Sequence, residues 1–407
     1  MIYIFLTFTM AGNAGGPSYM NAKTAWLKEK GWDVVGFDHA GPFDLKEPVI
    51  LPQLLVFKDN RFPELFFPPG YYTKKQREKI LQKLISIIGE GNEYVVESNT
   101  PRMALWGELL AERLGAKHLS LLIVEHPDLR SQMEFDFFKY KLDRNELFFI
   151  HEKICVQMFS AYYNLSEEQA KNYIFTAEMG VKMVDVPMKE LESMPSADYF
   201  ILSFGRWKPY FPNMIKGVVD FANKFKEKQI CFIFMGDVNL SSQEKENISS
   251  AHNLCYKIIP SQQPVPRAVF DVSDIVIATA GCAFFSNSNG YTVIPMDVET
   301  LQPLGVLGYT TMDYLRSTDP NTSVPNLSEL LENALVKQLY VGEKKPLDGK
   351  SNRGCDFQLS LVNDNRKYWP VVDKISMDRG FIRRIIQKLF LHCGGINILI
   401  RGFHLNN

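Results

Sequence analysis

The chain predicts an α/β protein made of two Rossmann-like domains in series, followed by a C-terminal helix. Three observations predict this. Strand-like and helix-like stretches alternate through the first half, and such βαβ units require a parallel sheet with right-handed crossovers. After the weakly patterned stretch KELESMPSAD (189–198) the same alternation begins again. At 407 residues the chain is long enough for roughly two to three ordinary domains. The expected boundaries are 1–188, 189–375 and, for the terminal helix, 376–407.

Each element has a local reason. Residues 1–9 (MIYIFLTFT) form an apolar run suited to a strand buried on both faces. A signal peptide would need a positively charged region ahead of such a run, and here a glycine-bearing loop follows at once, so the flanks favour a strand. The loop 11–18 holds Gly12, Gly15 and Gly16. A helix over 19–30 stops at Gly31, and WDVVGFDH (32–39) is the second strand. Residues 40–73, rich in Pro, Phe and Gly, read as an excursion. Ile80, Leu81, Leu84, Ile85 and Ile88 share one face of a helix over 74–88. EYVVES (93–98) is a strand, Pro101 opens a helix over 101–114, and HLSLLIVE (118–125) is the next strand. The aromatic stretch 134–163 has a helical pattern.

In the second half, YFILSF (199–204), ICFIFMGD (230–237), CYKIIP (255–260), DIVIAT (274–279) and YTVIPMD (291–297) read as strands, with a helix over 212–227. Asn326 caps a helix over 326–341, residues 342–375 are irregular, and 378–391 carry apolar residues at helical spacing.

Composition narrows the function classes. Hydrophobic residues at 46% and charged residues at 22% exclude a disordered chain. With 45 Lys+Arg against 46 Asp+Glu there is no global basic field, so nucleic acid is not an expected partner. No apolar stretch approaches the roughly 20 residues that span a bilayer. The six cysteines are scattered without a CxxC pair, which suggests neither a zinc cage nor a redox motif and favours a reducing, cytoplasmic compartment.

Three motifs could carry chemistry. Open α/β sheets bind ligands beyond the carboxyl ends of their strands, so glycines and cations at those ends matter most. The first motif, the loop with Gly15 and Gly16, departs from the dinucleotide fingerprint and reads either as a close-approach loop for a ligand or as a packing turn. In the second, Gly205-Arg206-Trp207-Lys208 follows a buried strand. Arg206 by its planar fork and Lys208 as a point charge suit a diphosphate; an exposed basic turn is the alternative, and the strand-end position favours the ligand. The third is Ala280-Gly281-Cys282, ahead of Asn289-Gly290, where backbone N–H groups at a strand–helix junction suit an anion. Cys282 lacks an evident activating partner in sequence and is not read as a nucleophile.

Together these segments resemble the GT-B glycosyltransferases, in particular retaining, family-four-like members that build bacterial capsules and surface polysaccharides. GGPSYMNAKTAWLKEKGWDVVGFDH (15–39), ILSFGRWKPYFPNMIKGVVDFA (201–222), FIFMGD (232–237), SDIVIATAGCAFFSNSNGYTVIPMD (273–297) and GVLGYTT (305–311) carry the likeness over most of residues 1–340. The resemblance implies two domains facing across a cleft, with the terminal helix crossing back to the first. It also implies transfer of a hexose-like sugar from a nucleotide-diphosphate sugar to a glycan or polyprenyl-linked acceptor. Gly205, Arg206 and Lys208 would hold the diphosphate, Gly236, Asp237, Ala280, Gly281 and Gly290 would line the donor side, and Gly15 and Gly16 the acceptor side. Two positions depart from the family. Phe211 stands where a lysine is common, and no glutamate occurs between 275 and 295, where a pair is often found.

No cofactor is expected beyond the nucleotide sugar as co-substrate. No Asp-x-Asp pair occurs, in keeping with a metal-independent mechanism in which protein cations stabilise the leaving group. Glu125 and His126 close the strand LLIVEHPD, where His126 could orient or deprotonate an acceptor hydroxyl; a structural histidine is an equal reading, and His118 and His151 read as structural. Arg379, Arg383, Arg384 and Lys388 give the terminal helix a basic face. That face suits either peripheral contact with the inner surface of the cell membrane or simple solvation, and four cations are marginal for an anchor. A nucleotide-sugar 2-epimerase and a catalytically degenerate binding partner are the alternative functions.

Overall fold

A computed structural model describes residues 1–7, 15–38, 49–50, 59–90, 93–122, 132–149, 166, 183–260, 262–263, 265–315, 317, 326–345, 360 and 367–370. The chain divides into two compact units. Met1–Glu47, Leu55–Gly180 and Lys350–Asn407 form the first, and Pro48–Leu54 with Val181–Gly349 the second.

The first unit is built on β1 (Ile2–Thr7), β2 (Asp33–Asp38), β4 (Asp59–Arg61), β5 (Tyr94–Ser98), β6 (Lys117–Leu122) and β7 (Leu147–Phe149). They pair in the order β4-β2-β1-β5-β6-β7, every pair parallel. The intervening β3 (Val49–Ile50) pairs instead within the second unit, with β11 (Gln262–Gln263). Alternation along β1 feeds two cores. Ile2, Ile4 and Leu6 pack with α2 (Lys74–Ile88) and α3 (Pro101–Leu114), while Tyr3 and Phe5 pack beneath α1 (Gly15–Glu29). Helix ends follow their sequence signals. Thr73 and Gln76 form a capping box on α2, and α3 runs from its Thr100 cap to Gly115 in the left-handed region at φ 62°.

Two expectations are corrected here. The helix expected over 134–163 ends early. The structure has α4 (Gln132–Asp143), a turn at Asn145 with φ 57°, and then β7. Leu147 and Phe148 are buried at the sheet's margin, so strand pairing captures residues whose aromatic pattern suited a helix. The expected excursion over 40–73 contains β4, whose Asp-Asn-Arg sequence carries no strand signal; pairing with β2 supplies it.

Ionic groups are buried inside this unit. Lys23 of α1 pairs with Glu97 of β5 beneath Tyr3 and Tyr19. Lys141 reaches Glu108 at 2.8 Å and Glu146 at 2.6 Å, and Arg144 holds the other oxygen of Glu146 at 2.8 Å. His118 Nδ1 lies 2.6 Å from Glu108, and its Nε2 3.0 Å from the Ser98 hydroxyl. A Cβ on Gly107 would stand 2.4 Å from that Nε2, so the helix can approach only without a side chain there. The chain also returns to this unit near its end. Trp369 N–H donates to Glu108 at 2.7 Å, Tyr368 donates to Ala116 O, and Tyr140 to Lys367 O. The helix expected over 376–407 lies outside the described residues.

The second unit carries β8 (Tyr199–Phe204), β9 (Ile230–Met235), β10 (Leu254–Ile259), β12 (Ile275–Ala278) and β13 (Val293–Pro295), paired in parallel in the order β10-β9-β8-β12-β13. One face is covered by α5 (Phe211–Lys224), α6 (Ser242–Ser249) and α9 (Leu327–Leu331), the other by α7 (Arg267–Asp271) and α8 (Ala280–Ser288). Gly217 lets α5 cross α9, since a Cβ there would stand 2.6 Å from Leu327. The helix expected over 326–341 is shorter: α9 passes into one wide turn at Glu332–Val336. Cys231 is fully buried within β9, where it packs as a small apolar residue.

The buried network sets an acid response. Burial pushes the Glu108 carboxyl up, but Lys141 and His118 outweigh it and hold the pKa at about 2, below the ordinary 4.5. Burial first, and then Lys141, push His118 below its ordinary 6.5 against the pull of Glu108. Both groups therefore take up protons more readily in the unfolded chain. The His118 contribution is complete above its ordinary value and is lost as pH falls below it. That of Glu108 is complete above 4.5 and is lost as pH falls toward about 2. The melting temperature is expected to fall continuously from about pH 7 to about pH 3. Glu108→Gln should flatten the limb below about pH 5, and an unchanged limb in differential scanning calorimetry would contradict this.

Candidate functional site

In the second unit β9 and β10 lie on one side of β8, and β12 and β13 on the other. Crossovers therefore leave β8 and β12 in opposite directions and open a crevice at their carboxyl ends. Gly205 follows β8 and Gly236 follows β9. A Cβ on Gly236 would stand 2.0 Å from Gly205 O, and their φ values of +148° and +131° are ones that side chains avoid. Gly205 N–H donates to Met235 O, and Trp207 N–H to Asp237 O, which locks the turn. Arg206 is left exposed at the sheet edge and Lys208 half-buried.

The other side of the switch point is the start of α8. Thr279 stands at the cap position, but its hydroxyl donates to Met296 O at 2.8 Å and makes no cap bond. Ala280 adopts φ 50°, unusual for a side-chain-bearing residue, and its N–H donates to Tyr314 O at 2.6 Å. Gly281 is exposed. Cys282 sits against the β8 turn, since a Cβ on Gly205 would meet its Sγ at 3.4 Å. Burial pushes the Cys282 thiol up to about 11, against the opposing pull of Arg206 and Lys208. The thiol is thus protonated at neutral pH, which agrees with reading Cys282 as no nucleophile. Two cations and a helix start without a side-chain cap thus meet at one crevice, an arrangement that suits an anion.

The structure brings Gly205, Arg206, Lys208, Gly236, Ala280 and Gly281 together. Asp237 is exposed beside them and contributes its carbonyl to the turn. Gly290 does not join them. It follows the far end of α8 and precedes β13, so it lies toward the opposite edge of the sheet, where its carbonyl accepts from Lys344 at 2.8 Å. Phe211 fills the core and stacks on Phe234, so no side chain at that position reaches the crevice. Asp297, unremarked in sequence, is buried just beyond β13 and accepts from the N–H groups of Glu299, Thr300 and Ser317. Its position after the strand VIP was the available signal.

In the first unit, Gly15 and Gly16 open α1. Glu125 and His126, together with Gly12 and His151, lie outside the described residues. Ser98, His118 and Glu108 align as a nucleophile relay would, but all three are closed off from solvent and packed in the sheet, so they bind the fold together.

No protein-family model and no curated protein matches this sequence. Solved structures do resemble it. A glycosyltransferase from Rickettsia africae ESF-5 superposes with a TM-score of 0.52 at 15% identity, covering 96% of this chain and 98% of that one. The chain has the GT-B fold. Its two Rossmann-like units are the two halves of that architecture, recovered at an identity that establishes fold alone. Sucrose-phosphate synthase from Thermosynechococcus elongatus (TM-score 0.49, 13% identity, 96% and 100% covered) and Anabaena Alr3699/HepE in complex with UDP and glucose (0.48, 12%, 92% and 98%) are also similar.

Among the described residues, no group of three or more His, Cys, Asp or Glu side chains is placed to hold a metal ion, and no helix is long and apolar enough to cross a membrane.

The thiol gives a direct check on the crevice. Alkylation of Cys282 by iodoacetamide is expected to be slow at neutral pH and to accelerate up to about pH 11. Peptide mass spectrometry reads this, and fast labelling at neutral pH would contradict the assigned environment.

Proposed function

We propose that this GT-B protein is a glycosyltransferase that moves a sugar from a nucleotide-diphosphate donor to a glycan or lipid-linked acceptor. The observation that carries the reading is the meeting of Arg206 and Lys208 with the start of α8, where Thr279 makes no side-chain cap, at the β8–β12 switch point. Transfer breaks the bond between the anomeric carbon and the leaving diphosphate oxygen. The sugar ring gains oxocarbenium character while negative charge grows on the diphosphate. The guanidinium of Arg206, the ammonium of Lys208 and the Gly281 N–H in the first turn of α8 meet that charge without reorganising. In this scheme the protein's own cations do the work that a divalent ion does elsewhere, which is the basis for proposing metal independence.

The finer reading is a retaining enzyme of capsule or surface polysaccharide synthesis acting in the cytoplasm, with peripheral membrane contact through Arg379, Arg383, Arg384 and Lys388. It rests on the sequence likeness over 15–39, 201–222 and 273–297. His126 and Glu125 are proposed as the acceptor-side pair. The buried Phe211 at the position of the likeness's lysine favours one competing reading, a GT-B partner that has lost catalysis.

Calorimetry with UDP, GDP, ADP, CDP and TDP separates the two, since a degenerate partner without a donor site binds none of them. In an active enzyme, Arg206→Ala should lower turnover of the preferred nucleotide sugar by roughly 100-fold, as for removal of one preorganised donor. Turnover equal to that of the parent protein would refute the assigned role. Release of an epimerised nucleotide sugar without any acceptor would assign the chain to the 2-epimerases instead.

A further inference from the structure

Trp207 lies between the two proposed diphosphate ligands in sequence, yet its indole lies against α6. The indole Nε1–H donates to Glu244 Oε1 at 3.2 Å. Glu244 is itself fixed, because the Ser241 N–H and hydroxyl donate to its Oε2 at 2.7 and 2.8 Å in the capping box of α6. Burial pushes the Glu244 pKa up, but those bonds and the one from Trp207 more than reverse the shift, so the carboxylate stays charged and clamped. An indole that is 44% exposed is therefore held in one orientation.

A single exposed aromatic needs no explanation. This one forms a wall of an open cavity of about 360 Å³, with Pro212, Asn239, Gln243 and Asn247 around it. Gln243 and Asn247 stand one turn apart on α6, exposed, and joined by a 3.1 Å bond from Gln243 Nε2 to Asn247 Oδ1. The lining thus presents one flat apolar ring and several neutral amides, each with donor and acceptor capacity. Its charged member, Glu244, is already engaged by three donors. Among the described residues no cation lines the cavity, so it offers an anionic ligand no direct ion pair. A pyranose ring fits that chemistry, with its C–H face on the indole and its hydroxyls on the amides.

We infer that the Trp207 cavity is a binding subsite for a neutral oligosaccharide. Assigning that oligosaccharide to the acceptor or product of the reaction rests on the transferase reading; the chemistry of the lining does not. The subsite shares a turn with Arg206 and Lys208, so a bound glycan would be held beside the donor crevice of the same unit.

The test is a heteronuclear NMR titration of the full chain with maltotriose, cellotriose, mannotriose and chitotriose, with no nucleotide present. Trp207→Phe identifies the Trp207 indole signal among those of the five tryptophans. At least one trisaccharide is expected to shift that signal saturably. Asn247→Leu, at an exposed helix position, should weaken the shift at least tenfold while leaving the fold intact. Absence of a shift with all four sugars at tens of millimolar would overturn the subsite, as would a shift that Asn247→Leu leaves unaltered. A shift produced by uridine, and not by the sugars, would assign the cavity to a nucleobase and overturn it too. If the sugars bind while no nucleoside diphosphate does, the subsite stands and the transferase reading falls.

Discussion

Parallel strand pairing governs this molecule. Each pair in the six-stranded and five-stranded sheets is parallel, and parallel neighbours cannot be joined by a tight turn. Each connection must cross a face of the sheet, so both faces are covered and central strands are buried along their whole length, as in β1 and β9. Backbone that is polar or conformationally demanding is then displaced to the strand ends. In the second unit this concentrates the unusual conformations of Gly205, Gly236 and Ala280 around one crevice, where crossovers diverge.

Charge is used differently in the two units. In the first, Lys141, Glu108, Glu146 and Arg144 are spent on one another inside the protein, and Lys23 on Glu97. Removing one partner from such a desolvated set leaves an uncompensated charge, typically at a cost of about 3–5 kcal/mol. These groups tie α3, α4, β6 and the returning segment at Tyr368 and Trp369 into one body. In the second unit, Arg206 and Lys208 stand at the sheet edge, and the group that registers their field is the neutral thiol of Cys282. Charge is thus left available at a carboxyl edge in the second unit and neutralised in the core of the first.

Aromatic residues divide the same turn into two roles. Phe211 and Tyr210 are buried and anchor the start of α5 on β9 through Phe234. Trp207, four residues earlier than Phe211, is left at the surface with its polar edge tied to Glu244. Replacing a core aromatic of this kind with a smaller residue commonly costs about 3–5 kcal/mol. A lysine at position 211 would therefore disturb the packing that holds the turn.

Local chemistry alone determined most of the order of elements and the strand-end placement of the candidate site. Apolar runs, helical periodicity and the Asn326 cap act over a few residues, so they are legible without coordinates. The strand-end position of Gly205-Arg206 and of Ala280-Gly281 was legible for the same reason. Tertiary structure decided the rest. β4 and β7 are strands because a neighbouring strand offers hydrogen bonds, whatever their own propensity. Gly290 is sequence-close to Gly281 but separated from it by the length of α8. The clamp on Trp207 depends on Glu244, 37 residues away, and the buried ion pair of Lys141 on Glu108, 33 residues away. Such contacts form only when folding closes long loops, and no short-range pattern encodes them.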